Sequence, residues 1–274
     1  MKKSNYIAGQ WVEGTSSIKN INPSDTSEII DEYTSCTDEQ FEQSIRSAAG
    51  AQKEWETVGI EKKSQILTKI GDELIQKSKI IGELLSREEG KPLNEGIGEV
   101  SRAGQQFQYY GSECLRLYGE KIPSTRPGFQ VEISREPLGV VGIISPWNFP
   151  IAIPAWKAAP AMMCGNAVIL KPASLTVGSA IALTEIIAKQ DIPAGLFNLV
   201  LGSGSDIGHK ISTHPEIAAI TFTGSVEVGK QLYQNSSSSM KKMQMEMGSK
   251  NPLVVMDDAD LKTAITCAVN GAYG

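Results

Sequence analysis

Positive charge is in short supply in this 274-residue chain: 26 Lys and Arg stand against 31 Asp and Glu, a formal net charge of -5. Without a basic stripe there is no electrostatic footprint for nucleic acid or an anionic membrane, and a small-molecule partner is the expectation. Long apolar runs are missing too. No stretch approaches a membrane span, and the opening MKKSNYIAGQW has two lysines but no apolar h-region, so cytoplasmic residence is expected. The four cysteines, Cys36, Cys114, Cys164 and Cys267, lie far apart without CxxC spacing or an accompanying His cluster. That argues against a zinc or other metal site and gives no disulfide framework; they read as ordinary reduced thiols. Histidine is scarce, with only His209 and His214, both in a loop-like region and read as surface or helix-end residues. There is no internal repeat, and Ser236 to Ser239 is the one low-complexity stretch, read as a solvated loop.

What is present supports a real core, since 41% of the residues are apolar. YIAGQWVEG alternates around Gly9 and Gln10, which suits a small surface hairpin at the edge of the fold. Thr37-Asp38-Glu39-Gln40 fits a capping box, so a helix is expected to run from there to about Trp55. Ile66, Leu67, Ile70, Leu74, Ile75, Ile81, Leu84 and Leu85 recur at helical intervals, predicting one long helix from Glu61 to Glu88, ended by Glu89-Gly90-Lys91-Pro92. A third helix is expected from about Asn94 to Tyr118. From Gly139 the pattern changes to short continuous apolar runs separated by helical segments: VVGII, AVIL, LFNLVL, AAITF and PLVVM. Such runs suit strands of a parallel sheet covered on both faces, giving an α/β fold. Between the two regimes, IPSTRPGFQVEISREPLG alternates around Phe129, Val131 and Ile133 and reads as a hairpin leaving the body, an assembly arm.

Four places carry groups suited to chemistry. Ser145-Pro146-Trp147-Asn148-Phe149-Pro150 puts a carboxamide at the carboxyl end of a strand, where open α/β sheets bind ligands. An uncharged, preorganised donor there suits an oxyanion, although a loop Asn also commonly satisfies its own backbone. Lys171 and Ser174 follow the next strand, placed to hold ribose hydroxyls or phosphate; the alternative is a snorkelling surface lysine. Thr223-Gly224-Ser225-Val226-Glu227-Val228-Gly229 follows a strand and opens a helix, whose N-terminus favours a pyrophosphate. Its spacing is GxxxxG rather than GxGxxG, so an ordinary strand-to-helix turn stays open. Glu246, between Met245 and Met247, is a credible general base if its apolar surroundings raise its pKa; an edge-strand Glu paired with Lys250 is the other reading.

Taken together, PLGVVGIISPWNFPIAIPAWK, NAVILKPAS, ITFTGSVEVG and MQMEMGSKNP, in that order and at those intervals, resemble the aldehyde dehydrogenase superfamily. The resemblance covers essentially the whole chain and corresponds to the family's N-terminal part. It implies a Rossmann-like cofactor-binding domain from residues 1–118 and 138–249, with a helical N-terminal part. It also implies an oligomerisation hairpin at 119–137 and the start of a largely missing catalytic domain at 250–274. By resemblance Asn148 is the oxyanion donor and Glu246 the general base. The cofactor-binding set is Ser145, Pro146, Trp147, Lys171, Ser174, Gly204, Gly208, Phe222, Thr223, Gly224, Ser225, Gly229 and Met247.

The implied reaction is oxidation of an aldehyde by a cysteine thiolate with NAD or NADP, in a homo-oligomer. The nucleophile is expected about six residues beyond Gly274. Cys267 comes too early, and its helical setting reads as packing. Ser174 stands where many NAD-dependent members carry a Glu, so NADP preference or dual use is expected. Ser249 replaces a common Gly beside the base. The wording is nearest the semialdehyde-oxidising branch, with 2-oxoglutarate semialdehyde foremost and succinate semialdehyde and aromatic aldehydes open. The alternative function is a non-catalytic dinucleotide-binding module, with a structural role through the arm a third reading.

Overall fold

The computed structural model describes residues 4–250 and 252–273. Its centre is a seven-stranded sheet in the order β11 (Lys242–Met247), β10 (Ile217–Gly224), β7 (Val140–Ile144), β8 (Ala167–Lys171), β9 (Phe197–Leu199), β1 (Asn5–Ile7), β2 (Gln10–Val12). The five strands from β11 to β9 are mutually parallel, while β1 joins β9 antiparallel and pairs with β2. All residues of β7, β8 and β9 are buried, which is why those runs are continuously apolar or nearly so instead of alternating. The opening hairpin is therefore more than a surface decoration: Tyr6 and Ile7 of β1 are buried and extend the main sheet.

The parallel strands are connected by α5 (Ala152–Met163), α6 (Val177–Ala188), α7 (His209–Thr213) and α8 (Val226–Ser236). His209 opens α7 and His214 caps its far end, as expected of helix-end residues. α1 (Asp38–Thr57) has both halves of the Thr37 and Gln40 capping box and packs on β7, β8 and β9. The segment read as one long helix is two, α2 (Ile60–Gln76) and α3 (Ser78–Glu89), which break at Lys77. Both pack on α4 (Leu93–Cys114), and the break reorients α3 so that Gly82 lies where a Cβ would sit 2.6 Å from the backbone nitrogen of Ile97. α4 ends at Cys114 rather than running to Tyr118. This helical layer covers the sheet-packed helices, α4 lying against α5, and α2 and α3 against α6.

Two further hairpins flank the body. β3 (Ser17–Ile21) and β4 (Ile29–Thr34), not anticipated from the sequence, pair antiparallel, and Asn20 of β3 donates to the buried Glu88 carboxylate at 2.5 Å. The same carboxylate accepts from the backbone nitrogens of Gly178 and Ser179 at 2.9 and 2.7 Å, so it ties β3 and α3 to the start of α6. β5 (Glu120–Pro123) and β6 (Gln130–Ile133) form the anticipated hairpin in the register Glu120 to Ile133, exposed along both strands.

Three expectations need correction. PLVVM is not a strand: Leu253, Val254, Val255 and Met256 are exposed, and no described strand runs beside them. Cys267 does lie in a helix, α9 (Leu261–Tyr273), but it is exposed, as are Ile265 and Val269, because no described surface packs on that helix. Ser236 is buried and donates to the carbonyls of Ser212 and Leu232, so the serine run begins inside the structure and only its later residues are solvated. No helix among the described residues is long and apolar enough to cross a membrane.

Candidate active site

The order of the parallel strands reverses between β7 and β10: β8 and β9 extend the sheet on one side of β7, and β10 and β11 on the other. Crevices of open α/β sheets form outside the carboxyl ends of the strands at such a reversal. A cavity of about 850 Å³ opens there, lined by Pro146, Trp147 and Asn148 after β7, Thr223 and Gly224 at the end of β10 with Ser225 after it, and Glu246 and Met247 from β11. Register places the last of these. Thr221 pairs with Gln244 and Thr223 with Glu246, so these four side chains share one face of the pleat. Phe222 and Met245, paired between them, fall on the other face, and Phe222 is buried.

Asn148 is exposed in the loop, and its carboxamide makes no hydrogen bond to a described residue. The reading in which it satisfies its own backbone is not what the structure shows. Among the described residues its carbonyl is the group engaged, accepting from Lys91 Nζ at 2.7 Å. Glu246 is exposed rather than enclosed by apolar groups, a departure from the expectation that follows from its place on an edge strand. No ion pair joins it to Lys250; instead its Oε1 accepts from Gln244 Nε2 at 2.7 Å.

Lys157, which sequence reasoning passed over, completes this polar line. It lies in α5, is buried, and its ammonium donates to Thr221 Oγ1 at 2.7 Å and Gln244 Oε1 at 3.0 Å. Thr221 also hydrogen-bonds Gln244. Burial pulls the Lys157 pKa from 10.5 to about 8, partly offset by the Glu246 carboxylate. A lone lysine inside AIPAWKAAPAMM was the available signal, because a charge in so apolar a helix requires a polar destination.

The remaining predicted residues do not line this cavity; they lie at the ends of neighbouring elements, and Gly229 lines a separate, smaller one. Lys171 ends β8 and is 6% exposed, with no hydrogen bond or ion pair from its ammonium to a described residue; burial lowers its pKa to about 8. It is thus not a snorkelling surface lysine. Its carbonyl accepts from Ser145 nitrogen at 3.2 Å, which joins the ends of β8 and β7. Ser174 Oγ reaches the Gly202 carbonyl at 3.5 Å, placing it beside the loop that leads to the wide helical turn Gly204–Gly208. Gly229 is buried in the first turn of α8, whose N-terminus is capped by Ser225 Oγ accepting from Val228 nitrogen at 3.3 Å.

A nucleotide fits these groups. The hydroxyls of Ser145 and Thr223 are buried without a partner among the described residues, and the Lys171 ammonium is buried without an anion. Orphaned hydroxyls and a desolvated cation at the carboxyl ends of adjacent strands β10, β7 and β8, with a helix N-terminus after β10, suit a phosphate- and hydroxyl-bearing ligand, although of these groups only Thr223 and Ser225 line the cavity itself. Among the described residues no cysteine lines the cavity.

Fold and site together define an α/β protein with a crevice at its strand-order reversal, and an uncharged amide and a carboxylate that face one space. The chain belongs to the aldehyde dehydrogenase family, whose pattern matches residues 11–274. It is 40% identical over 271 residues to the α-ketoglutaric semialdehyde dehydrogenase of Bacillus subtilis (strain 168), covering 98% of this chain and 56% of that one. With the 2,5-dioxopentanoate dehydrogenase of Saccharolobus solfataricus the identity is 36%, over all of this chain and 58% of the relative. Among solved structures, betaine aldehyde dehydrogenase from Staphylococcus aureus in complex with NAD+ superposes with a TM-score of 0.96 at 32% identity, over 99% of this chain and 55% of that one. The chain therefore spans somewhat more than half the length of these relatives.

Proposed function

We propose that this chain forms the cofactor-binding portion of an enzyme that oxidises an aldehyde of the semialdehyde class to a carboxylate with NAD or NADP. The observation that carries the reading is the convergence of the unengaged Asn148 carboxamide and the Glu246 carboxylate on one cavity at the strand-order reversal. Asn148 donates to the oxyanion formed when a thiolate adds to the aldehyde, a charge that exists only once the bond has formed. Glu246 takes the proton of the water that hydrolyses the acyl thioester, and Gln244, held by Lys157, fixes the carboxylate. The thiolate is assigned to the part of the relatives' length that this chain does not span. The nicotinamide cofactor, when bound, supplies the hydride acceptor.

Lys171, Ser174, Ser145, Thr223 and the start of α8 hold the cofactor. Ser174 is neutral and Lys171 cationic at the ribose end, which supports acceptance of a 2′-phosphate and hence use of NADP. Residues 1–118 and 138–249 constitute the cofactor domain and 250–274 the beginning of the catalytic one. The exposed β5–β6 hairpin is the assembly arm of a homo-oligomer. The semialdehyde preference draws support from the substrates named for the Bacillus and Saccharolobus relatives.

The test is reduced-cofactor production by the full-length protein with 2-oxoglutarate semialdehyde and with betaine aldehyde. A higher kcat/KM for the first is expected. Absence of aldehyde-dependent reduction with either would overturn the reading.

A further inference from the structure

The loop that carries Asn148 is held by a buried ion pair from the helical layer. Gly90 ends α3 with a φ of +96°, and the chain leaves it so that Lys91 reaches across to the loop after β7. The Lys91 ammonium, whose side chain is 10% exposed, has three protons to place. It meets Glu99 Oε2 at 2.7 Å and the Asn148 carbonyl at 2.7 Å, and it lies 4.1 Å from the centre of the Phe149 ring. Glu99, 2% exposed, uses its other oxygen to accept from the backbone nitrogens of Ile151 and Ala152 at 3.0 and 3.1 Å. Those are donors at the start of α5 that the helix itself leaves unpaired, and its positive end favours a carboxylate.

We propose that Lys91 and Glu99 are positioning residues for aldehyde oxidation, a brace that fixes the segment from Asn148 to Ala152 and with it the aim of the Asn148 carboxamide. The inference rests on the assignment of Asn148 as oxyanion donor. Two features separate it from a generic buried pair. Lys91 provides the hydrogen bond that Asn148 makes to the described residues, and it does so at the carbonyl, which fixes the peptide plane next to the Cα–Cβ bond. The partners also grip opposite ends of one segment, Lys91 at Asn148 and Phe149 and Glu99 at Ile151 and Ala152, so loss of either frees the loop to rotate. A displacement of about 1 Å at a reacting group is enough to cost on the order of 100-fold in rate.

The test is single-turnover hydride transfer in the full-length protein, with Lys91→Met and Asn148→Ala made singly and together. Lys91→Met is expected to slow the step ~10- to 100-fold while cofactor affinity stays within about twofold. In the Asn148→Ala background it should add less than about twofold, because the group it aims is gone. Equal slowing in both backgrounds, or none in either, overturns the proposal. If Lys91→Met does not fold, Glu99→Gln decides by the same comparison, since it keeps an acceptor for Ile151 and Ala152 but removes the nearer of the two carboxylates that face Lys91, the other being Glu89 at 3.9 Å. An Asn148→Ala protein that transfers hydride at the parent rate would instead sink the assignment of Asn148, and the brace with it. A slow Asn148→Ala protein beside a Lys91→Met protein at full rate sinks the brace alone.

Discussion

Replacing Lys171 by Met should make the protein more stable at neutral pH while weakening its hold on the cofactor. The ammonium is buried at the end of β8 with no anionic partner among the described residues, and burial lowers its pKa from 10.5 to about 8. At ~1.4 kcal/mol per pH unit, that difference corresponds to up to ~3 kcal/mol of folding free energy spent on keeping a charge out of water. Met matches the stem in length and has no charge to desolvate, so a gain of ~1–3 kcal/mol is expected. The sign follows from proton counts. Because the folded pKa is the lower one, the unfolded chain binds more protons between about pH 8 and 10.5, and parent stability rises with pH across that window. Below about pH 8 both states are charged and the full cost is present. The advantage of Lys171→Met should therefore be largest at about pH 7 and small by about pH 10. Urea unfolding of both proteins at the two pH values measures it, and calorimetric titration with NADP should show a loss of about tenfold or more. A variant less stable than its parent at neutral pH would refute the argument, as would an advantage that does not shrink on going alkaline.

Ser174→Glu should weaken NADP relative to NAD by ~10- to 100-fold through like-charge repulsion with the 2′-phosphate, read by titrating both cofactors against both proteins. An unchanged ratio would remove Ser174 from the ribose site. In the full-length protein, Glu246→Gln should leave a burst of reduced cofactor intact and slow the steady state by ~100-fold or more, because only thioester hydrolysis needs the water deprotonated. Equal slowing of both phases would place Glu246 earlier in the reaction. Glu88→Ala strips partners from Asn20, Gly178 and Ser179 at once and should cost ~3 kcal/mol in urea unfolding; a loss under about 0.5 kcal/mol would deny the carboxylate its tying role.

Much of the cofactor sheet was legible because its signals are local. The runs that became β7, β8 and β10 are bounded by turn residues, and the Thr37 and Gln40 box needs only four adjacent residues. What escaped depends on partners distant in the chain. PLVVM has a strand's composition but no described neighbour to pair with, whereas MQMEM, with its alternating Met and polar residues, became β11 because β10 offers it a parallel edge. The break at Lys77 has no Pro or Gly to announce it and follows from the need of α2 and α3 each to meet α4. The site divides the same way. Asn148 and Ser225 could be placed from strand ends alone. Lys157, Lys91 and Glu99 act across long separations, and only the packing of α5 and α4 brings them to the loop and the sheet.

The central claim is that Asn148 stabilises charge developing on the aldehyde oxygen, and pre-steady-state hydride transfer in the full-length Asn148→Ala protein tests it most directly. A fall of ~10²- to 10³-fold in the burst rate, with NAD and NADP affinities within about twofold of the parent, is the predicted result. A burst at the parent rate, or a slowing that saturating cofactor abolishes, would contradict it.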